Sequence, residues 1–131
     1  MDKVPIRSGD DVVRVRQQVR TAAAENGLSL VDQTKLVTAA SELARNTLVH
    51  GGGGVAQIEA VKSPTGRAGV RLHFTDEGPG ITDIGLALTD GWTSGTGLGL
   101  GLSGARRLVD EFELDSKPGA GTSVMVVKWS R

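Results

Sequence analysis

Glycine occupies every second position from residue 95 to residue 101, within the stretch SGTGLGLGL. Inside a helix a glycine costs about 1 kcal/mol relative to alanine, and inside a strand it leaves nothing to pack. The spacing therefore predicts a loop with exposed backbone rather than a regular element. This loop runs into an apolar-periodic segment, so its amide groups are expected near a helix start, where backbone N–H groups and the helix dipole favour a polyphosphate.

The first half of the chain predicts two helices. One helix is expected to be capped by Asp10 or Asp11 and to run to about Glu25. Ser29 is expected to start a second helix, which ends near His50, before four consecutive glycines. A third long helix is predicted over residues 102–112, and a short one around 81–88.

Alternation of apolar and polar residues predicts the strands. A short edge strand is expected at 3–8, and two hairpins are expected, 55–62 with 69–76 and 112–117 with 122–129. Strands separate from helices instead of alternating with them. This favours an α+β fold, a two-layer α/β sandwich with a mixed, mainly antiparallel sheet covered by helices on one face. The 131 residues are expected to form a single domain, 1–131.

Charge and composition exclude several classes of function. Lys and Arg together number 15, as do Asp and Glu, so the formal net charge is zero and neither nucleic acid nor an anionic membrane is an expected partner. Cysteine is absent, which excludes disulfides and thiolate metal sites. The sequence contains neither an apolar leader nor a run of about 18 apolar residues, so we expect a cytoplasmic protein.

The segment SELARNTLVH carries the first pair of candidate site residues. Glu42 and Asn46 are four positions apart, so they lie on one helix face about one turn from each other. Asparagine is unfavourable inside a helix, because its amide competes for backbone hydrogen bonds. A solvated surface pair remains the alternative for this segment taken alone.

The segment TDEGPGI carries a second candidate. Asp76 is expected at the rim of the sheet, where it could accept a hydrogen bond from a ligand amino group. Gly78 and Gly80 would allow that ligand to approach closely. An ordinary turn that begins with Asp is the alternative. The GAGT segment, 119–122, lies between the last two strands and is also compatible with a simple hairpin turn.

Two common phosphate-binding motifs do not explain the glycine-rich stretch. Gly99, Gly101 and Gly104 match the dinucleotide fingerprint, but that fingerprint must directly follow a strand, and here it follows a loop. A Walker-type loop is excluded, because no glycine is followed by Lys-Ser or Lys-Thr.

The order of the motifs is more specific than any one of them. An E-x-x-x-N helix, a D-x-G-x-G turn, a G-x-G-x-G loop that opens a helix and a final G-x-G-T follow one another along the chain. In this order the sequence resembles, over nearly its whole length, the GHKL ATP-binding superfamily of histidine kinases, DNA gyrase, heat-shock chaperone ATPases and small bacterial Ser/Thr kinases. Its size and motifs are most similar to those of the switch kinases of sigma-factor regulation.

The resemblance implies ATP and Mg²⁺ as cofactors and assigns roles to the motif residues. It implies that Asp76 receives the adenine amino group, assisted by Gly78, Gly80 and Thr122. The glycines implied to bind the phosphates of ATP are Gly95, Gly97, Gly99 and Gly101. Whether Arg106 or Arg107 also touches phosphate stays open.

The same resemblance gives roles to the helix pair and to the reaction. It implies that Asn46 offers an oxygen to Mg²⁺ and that Glu42 is the catalytic general base. The implied activity is that of a protein serine/threonine kinase that phosphorylates a STAS-domain antagonist and, when released, binds and activates a phosphatase. Two alternatives remain: an anti-sigma factor kinase that sequesters a sigma factor, and a nucleotide-binding partner-switch module with little catalysis.

Overall fold

The computed structural model describes residues 2–81 and 102–131. In these two ranges the chain forms β1 (Asp2–Ile6), α1 (Gly9–Glu25), α2 (Leu30–Val49), β2 (Gly54–Lys62), β3 (Ala68–Asp76), α3 (Leu102–Leu108), β4 (Glu111–Ser116) and β5 (Thr122–Trp129). None of these described helices is both long enough and apolar enough to cross a membrane. The helix predicted around 81–88 lies outside the described residues except for Ile81.

The strands form one sheet in the order β1-β2-β3-β5-β4. All four neighbouring pairs among these strands are antiparallel. The predicted α+β class is confirmed, and the described part of the sheet is antiparallel rather than mixed. A dinucleotide fold needs parallel strands joined by a helix, so this sheet is of a different kind.

Side chains at alternate strand positions build the core on one face of the sheet, because successive residues of a strand point to opposite faces. Apolar stripes of α1 and α2 pack on this face, among them Val15, Val19, Leu36 and Leu43. The strand residues of this buried set are Val4, Ile6, Ala56, Ile58, Val70, Leu72, Phe74, Val124 and Val126.

The opposite face of the sheet carries more polar and less buried side chains. One row across it consists of Gln57, His73, Met125 and Glu113, which are register partners from β2 to β4. Glu113 is exposed and the other three are half-buried. The predicted arrangement, with helices on one face of the sheet, is therefore confirmed.

The start of α1 differs from the expectation. Ser8 is the N-cap, in an extended conformation and without a side-chain capping bond, and the helix begins at Gly9. Asp11, expected as a possible cap, lies in the first turn, and its Oδ2 accepts the N–H of Arg7 at 2.8 Å. Its other oxygen pairs with Arg14 at 2.7 Å. The Asp11 carboxylate thus bonds to a residue before the helix although Asp11 itself lies inside the helix. The residue pattern alone did not distinguish this position from an N-cap.

The end of α3 is a second correction. The helix predicted over 102–112 ends at Leu108, and Phe112 belongs to β4. The apolar spacing of this segment suits a helix, but it also suits a strand from 111 onwards. That strand pairs with β5, where Phe112 lies opposite Val126, and the ladder satisfies its backbone hydrogen bonds. Tertiary pairing therefore overrides the helical pattern after Leu108.

A charged cluster lies where β5 approaches its end, under the first turn of α2. Lys128 is only 3% exposed, and its Nζ lies 3.6 Å from Oδ1 of Asp32 and 3.5 Å from Oδ1 of Asp110. Arg131 approaches the same two carboxylates, at 2.9 Å from Asp110 and 3.4 Å from Asp32. Burial of Lys128 and Asp32 is compatible with the fold because each has opposite charges beside it.

Candidate functional site

Asp76 lies at the end of the sheet, on the face that the helices cover. The strand register places it opposite Gly54 of β2 on one side and opposite Thr122 of β5 on the other. It has the same strand parity as the buried Phe74 and Val124, so its side chain faces the helical layer. The carboxylate and the Thr122 hydroxyl are therefore neighbours in the space between the sheet and the helices.

The end of α2 packs directly against the Asp76 carboxylate. His50 and Gly51 close the helix, and their N–H groups both point to the carbonyl oxygen of Asn46. A Cβ placed on Gly51 would lie 2.6 Å from Oδ2 of Asp76, and one placed on Gly78 would lie 2.6 Å from Cα of Gly51. Only bare backbone permits this three-way contact between helix, strand and turn.

A cavity of about 700 Å³ opens beside this contact and is lined by 51–55 and 75–77. Asp76 is half-buried at its wall, and its Oδ1 accepts the N–H of Gly78 at 2.9 Å. Within the two described ranges no donor bonds to Oδ2. The carboxylate is thus oriented by one hydrogen bond and retains acceptor capacity for a ligand.

The loop between β4 and β5 forms the neighbouring wall. Gly121 has a φ of +80°, and a Cβ there would overlap the carbonyl oxygen of Asp76. Gly80, with a φ of +76°, approaches the carbonyl oxygen of Lys117 in the same way. Gly119 N–H donates to the carbonyl of Pro79 at 2.7 Å. The D-x-G-x-G turn and the G-x-G-T box, far apart in sequence, are therefore in backbone contact.

A buried serine connects these two motifs. Ser116 ends β4 and is 8% exposed. Its Oγ accepts the N–H of Ile81 at 2.8 Å, contacts the carbonyl oxygen of Gly121 at 3.0 Å, and lies 2.9 Å from Oγ1 of Thr122. Asp76, Ser116 and Thr122 also share the wall of a smaller cavity of about 240 Å³.

Glu42 and Asn46 lie one turn apart on α2, and both are half-buried. Neither belongs to the described walls of the two cavities. Asn46 precedes Gly51 by five residues, which corresponds to about 7.5 Å along a helix axis. The structure therefore brings Asp76, Gly78 and Thr122 together and puts Glu42 and Asn46 on the helix that leads to them.

His50 adds a polar group to the same region. Its Nε2 is shielded from solvent and has no hydrogen-bond partner among the residues that the structure describes. Buried polar nitrogens without a partner are rare in native structures. His50 comes four residues after Asn46 and immediately before Gly51, the glycine that contacts Asp76.

The glycines expected to bind phosphate, Gly95, Gly97, Gly99 and Gly101, lie outside the described residues. The helix that follows them begins at Leu102 and packs against α2. Arg106 and Arg107 are both exposed in its last turn, away from its start.

Sequence reasoning missed Gly51 and Ser116 as site residues. Ser116 carried a recognisable signal: it follows Phe112 and Leu114 at alternate positions, so it is a polar residue at a core-facing position. Gly51 carried no comparable signal, because it is one of four consecutive glycines and only the packing of α2 against β3 selects it.

Comparison with known proteins agrees with this fold. Residues 31–130 match the family of histidine kinase-, DNA gyrase B- and HSP90-like ATPases, and the chain belongs to that family. It is 45% identical over 121 residues to the serine/threonine-protein kinase RsbT of Bacillus subtilis strain 168, an alignment that covers 92% of this chain and 90% of that protein. The chain is accordingly an RsbT-like serine/threonine kinase, as its motif order predicts.

One further relative by sequence and one solved structure are also similar to this chain. The anti-sigma F factor of Thermoanaerobacter sp. strain X514 is 29% identical over 117 residues, which cover 87% of this chain and 82% of that protein. A crystal structure of the RsbU and RsbW domains of Rv1364c from Mycobacterium tuberculosis superposes with a TM-score of 0.64 at 25% identity. The superposition covers all of this chain and 33% of that longer one.

Proposed function

We propose that the protein transfers the γ-phosphoryl group of ATP to a serine or threonine of a STAS-domain antagonist protein. The observation that carries this proposal is the Asp76 carboxylate, held against Gly51 and oriented by the N–H of Gly78 at the wall of a cavity of about 700 Å³. A carboxylate with a spare oxygen suits the amino group of adenine, because that group can only donate. Gly80 and Thr122 complete this end of the nucleotide site.

The phosphates are assigned to the glycines before α3. In this proposal the amides of Gly95, Gly97, Gly99 and Gly101 contact the phosphate oxygens, and the start of α3 adds its partial positive charge. Phosphoryl transfer requires mainly positioning and neutralisation of charge from the protein, which bare amides supply.

Asn46 is the residue proposed to hold Mg²⁺. Magnesium takes hard oxygen ligands and is commonly held by one or two side chains together with substrate phosphates. The donor set fits this mode: the amide oxygen of Asn46 is a hard ligand, and the described residues contain no cluster of three or more His, Cys, Asp or Glu side chains that would hold a metal alone. When bound, the ion would neutralise charge on the phosphates.

Glu42 is the proposed general base. It lies one helical turn before Asn46, so a hydroxyl directed at the γ-phosphate would come within its reach. The hydroxyl oxygen bonds to the γ-phosphorus, the bond from that phosphorus to the oxygen retained by ADP breaks, and the Glu42 carboxylate accepts the hydroxyl proton.

The kinase is proposed to act in a partner switch. In this proposal the kinase binds and activates a phosphatase once it leaves its phosphorylated antagonist; the 45% identity to the kinase RsbT supports the kinase step of this switch. The 29% identity to an anti-sigma F factor supports a second candidate, in which the protein sequesters a sigma factor. Both candidates place the protein in the cytoplasm. Binding assays with the phosphatase and with the sigma factor, each taken from the cytoplasmic fraction, would distinguish the two candidate partners.

The direct test is phosphate transfer in a purified system. The protein is incubated with labelled ATP, Mg²⁺ and a STAS-domain antagonist encoded beside its gene, and label is followed into the antagonist. We expect incorporation at one hydroxyl residue, abolished when that residue is replaced by alanine. Stable binding of the antagonist without any incorporation would contradict the kinase proposal for this substrate and would favour a binding module.

A further inference from the structure

We propose that Ser116 is a positioning residue that fixes the Thr122 hydroxyl as a hydrogen-bond acceptor toward the nucleotide base, and thereby helps to select adenine over 6-oxopurines. The inference rests on the proposed placement of adenine at Asp76. It concerns a residue outside the four motifs, and it assigns a direction to a hydrogen bond that distance alone leaves open.

The three contacts of Ser116 saturate its hydroxyl. A serine hydroxyl has one hydrogen to donate and two lone pairs that can accept. The N–H of Ile81 can only donate to it, at 2.8 Å, and the carbonyl of Gly121 can only accept from it, at 3.0 Å. The single hydrogen of Ser116 is therefore directed to Gly121, and one lone pair is occupied by Ile81.

Thr122 must then be the donor in the third contact. Its Oγ1 lies 2.9 Å from Oγ of Ser116, where one lone pair remains. If Ser116 donated to Thr122 instead, the carbonyl of Gly121 would lose this hydrogen bond, which is costly at a buried position. The arrangement that satisfies all three contacts leaves only acceptor lone pairs on Thr122 for a ligand.

Two acceptors thus lie side by side at the end of the sheet. Asp76 and Thr122 are register partners, and within residues 2–81 and 102–131 no donor bonds to Oδ2 of Asp76. The amino group of adenine offers two hydrogens, one for each acceptor, directly or through one water. A 6-oxopurine presents a carbonyl oxygen at the same place, and it would meet two acceptors with no hydrogen between them.

The burial of Ser116 makes its three hydrogen bonds energetically important. It is 8% exposed and shares the core-facing parity of Phe112 and Leu114, a position where an unbonded hydroxyl would be unfavourable. Its hydroxyl is compatible with burial because Ile81, Gly121 and Thr122 satisfy it. The third of these bonds restricts the rotation of the Thr122 hydroxyl.

The test compares ATP with inosine triphosphate, each with Mg²⁺, on the wild type and on Ser116→Ala by calorimetry. We expect the wild type to prefer ATP, and the preference to fall about 2- to 12-fold in Ser116→Ala, the range that one neutral hydrogen bond supports. A purely structural role would weaken both nucleotides equally and leave their ratio unchanged. An unchanged ratio in a folded variant would overturn the inference.

Further variants keep the result interpretable. Ser63→Ala removes a turn hydroxyl at the far end of the sheet, whose Oγ accepts from Arg67 N–H at 3.0 Å, and it should leave the ratio unchanged. In a Thr122→Val background, Ser116→Ala should have no further effect on the ratio. If Ser116→Ala does not fold, Ser116→Cys replaces the hydroxyl by a weaker partner and should shift the ratio in the same direction. A wild type that fails to bind ATP would instead overturn the proposed function.

Discussion

At the scale of single residues, Asp76 is the side chain on which nucleotide recognition depends. In Asp76→Asn an amide group can direct hydrogens at the adenine amino group, and a charge-assisted bond is lost. We expect ATP to bind about 10- to 100-fold more weakly, in line with about 1.5–3 kcal/mol for a hydrogen bond to a charged group. Calorimetric titration measures this loss. Asp10→Asn, an exposed change on α1, is the matched control and should bind ATP like the wild type.

Gly51 is the second residue whose replacement is informative. A methyl group in Gly51→Ala would overlap the Asp76 carboxylate, so either the carboxylate or the end of α2 must shift. We expect weaker ATP binding together with a loss of about 1–3 kcal/mol in the free energy of unfolding, the usual cost of overpacking. Denaturant titration and calorimetry report the two effects.

Gly9→Ala is the control for Gly51→Ala. Nothing lies within 4 Å of a Cβ at Gly9, and its φ is not positive. Alanine in this first position of α1 should leave ATP binding unchanged and the stability unchanged or slightly higher. Equal behaviour of the two alanine variants would contradict the close contact between α2 and Asp76.

At the scale of elements, α2 carries the two residues proposed for chemistry. Glu42→Ala should retain ATP but reduce phosphate transfer about 10²- to 10⁴-fold, the usual contribution of a general base. Asn46→Ala should weaken both Mg²⁺-dependent nucleotide binding and transfer. The buried stripe of α2 is untouched by either change, so folding should survive. Lys35→Ala, exposed on the same helix, is the control, and wild-type transfer by Glu42→Ala would remove the proposed base.

The helices and strands also show which features the sequence could predict. Ser29 was predicted to start α2, and its hydroxyl accepts the N–H of Asp32 at 3.1 Å. Such caps are local, so a few residues determine them. The boundary between α3 and β4 was predicted wrongly, because the apolar spacing around Phe112 fits both the repeat of a helix and the alternation of a strand. Only pairing with β5 decides between the two structures. The contact of Gly51 with Asp76 was not predictable, since it depends on how a helix and a strand pack.

At the scale of the whole molecule, the cluster around Lys128 joins the start of α2 to the last two strands. Partial burial raises the pKa of Asp110, but the N–H of Trp129 and the charges of Lys128 and Arg131 outweigh it and hold that pKa below its ordinary value of 3.8. A carboxylate with a lowered pKa stabilises the fold above its unfolded-state pKa. This contribution is lost as the pH falls through the lower, folded-state value.

Asp110→Asn should therefore lower the free energy of unfolding at pH 7, by about 1–2 kcal/mol, because the buried Lys128 loses one of the two carboxylates that lie beside it in the described part of the chain. The difference from the wild type should begin to shrink as the pH falls below about 4, where the carboxylate protonates in the unfolded state, and should be lost once the pH has fallen through the lower pKa of the native carboxylate. Chemical denaturation at a series of pH values measures both curves. Asp2→Asn, exposed at the start of β1, is the control, and a difference that stays constant down to acid pH would contradict the charge-based account.

Divergence of this protein is restricted at Gly51, Gly78 and Gly121, because each brings main-chain atoms where any side chain would overlap a neighbour. A Cβ at Gly78 would meet the backbone of Gly51, and one at Gly121 would meet the backbone of Asp76, so a smaller side chain elsewhere cannot make room at these two positions. A Cβ at Gly51 would meet the Asp76 side chain, which cannot be shortened without losing the proposed adenine contact. Exposed helix positions such as Asp10 and Lys35 have no such packing restriction. A descendant that keeps the Asp76 carboxylate in this cavity is therefore expected to inherit all three glycines together.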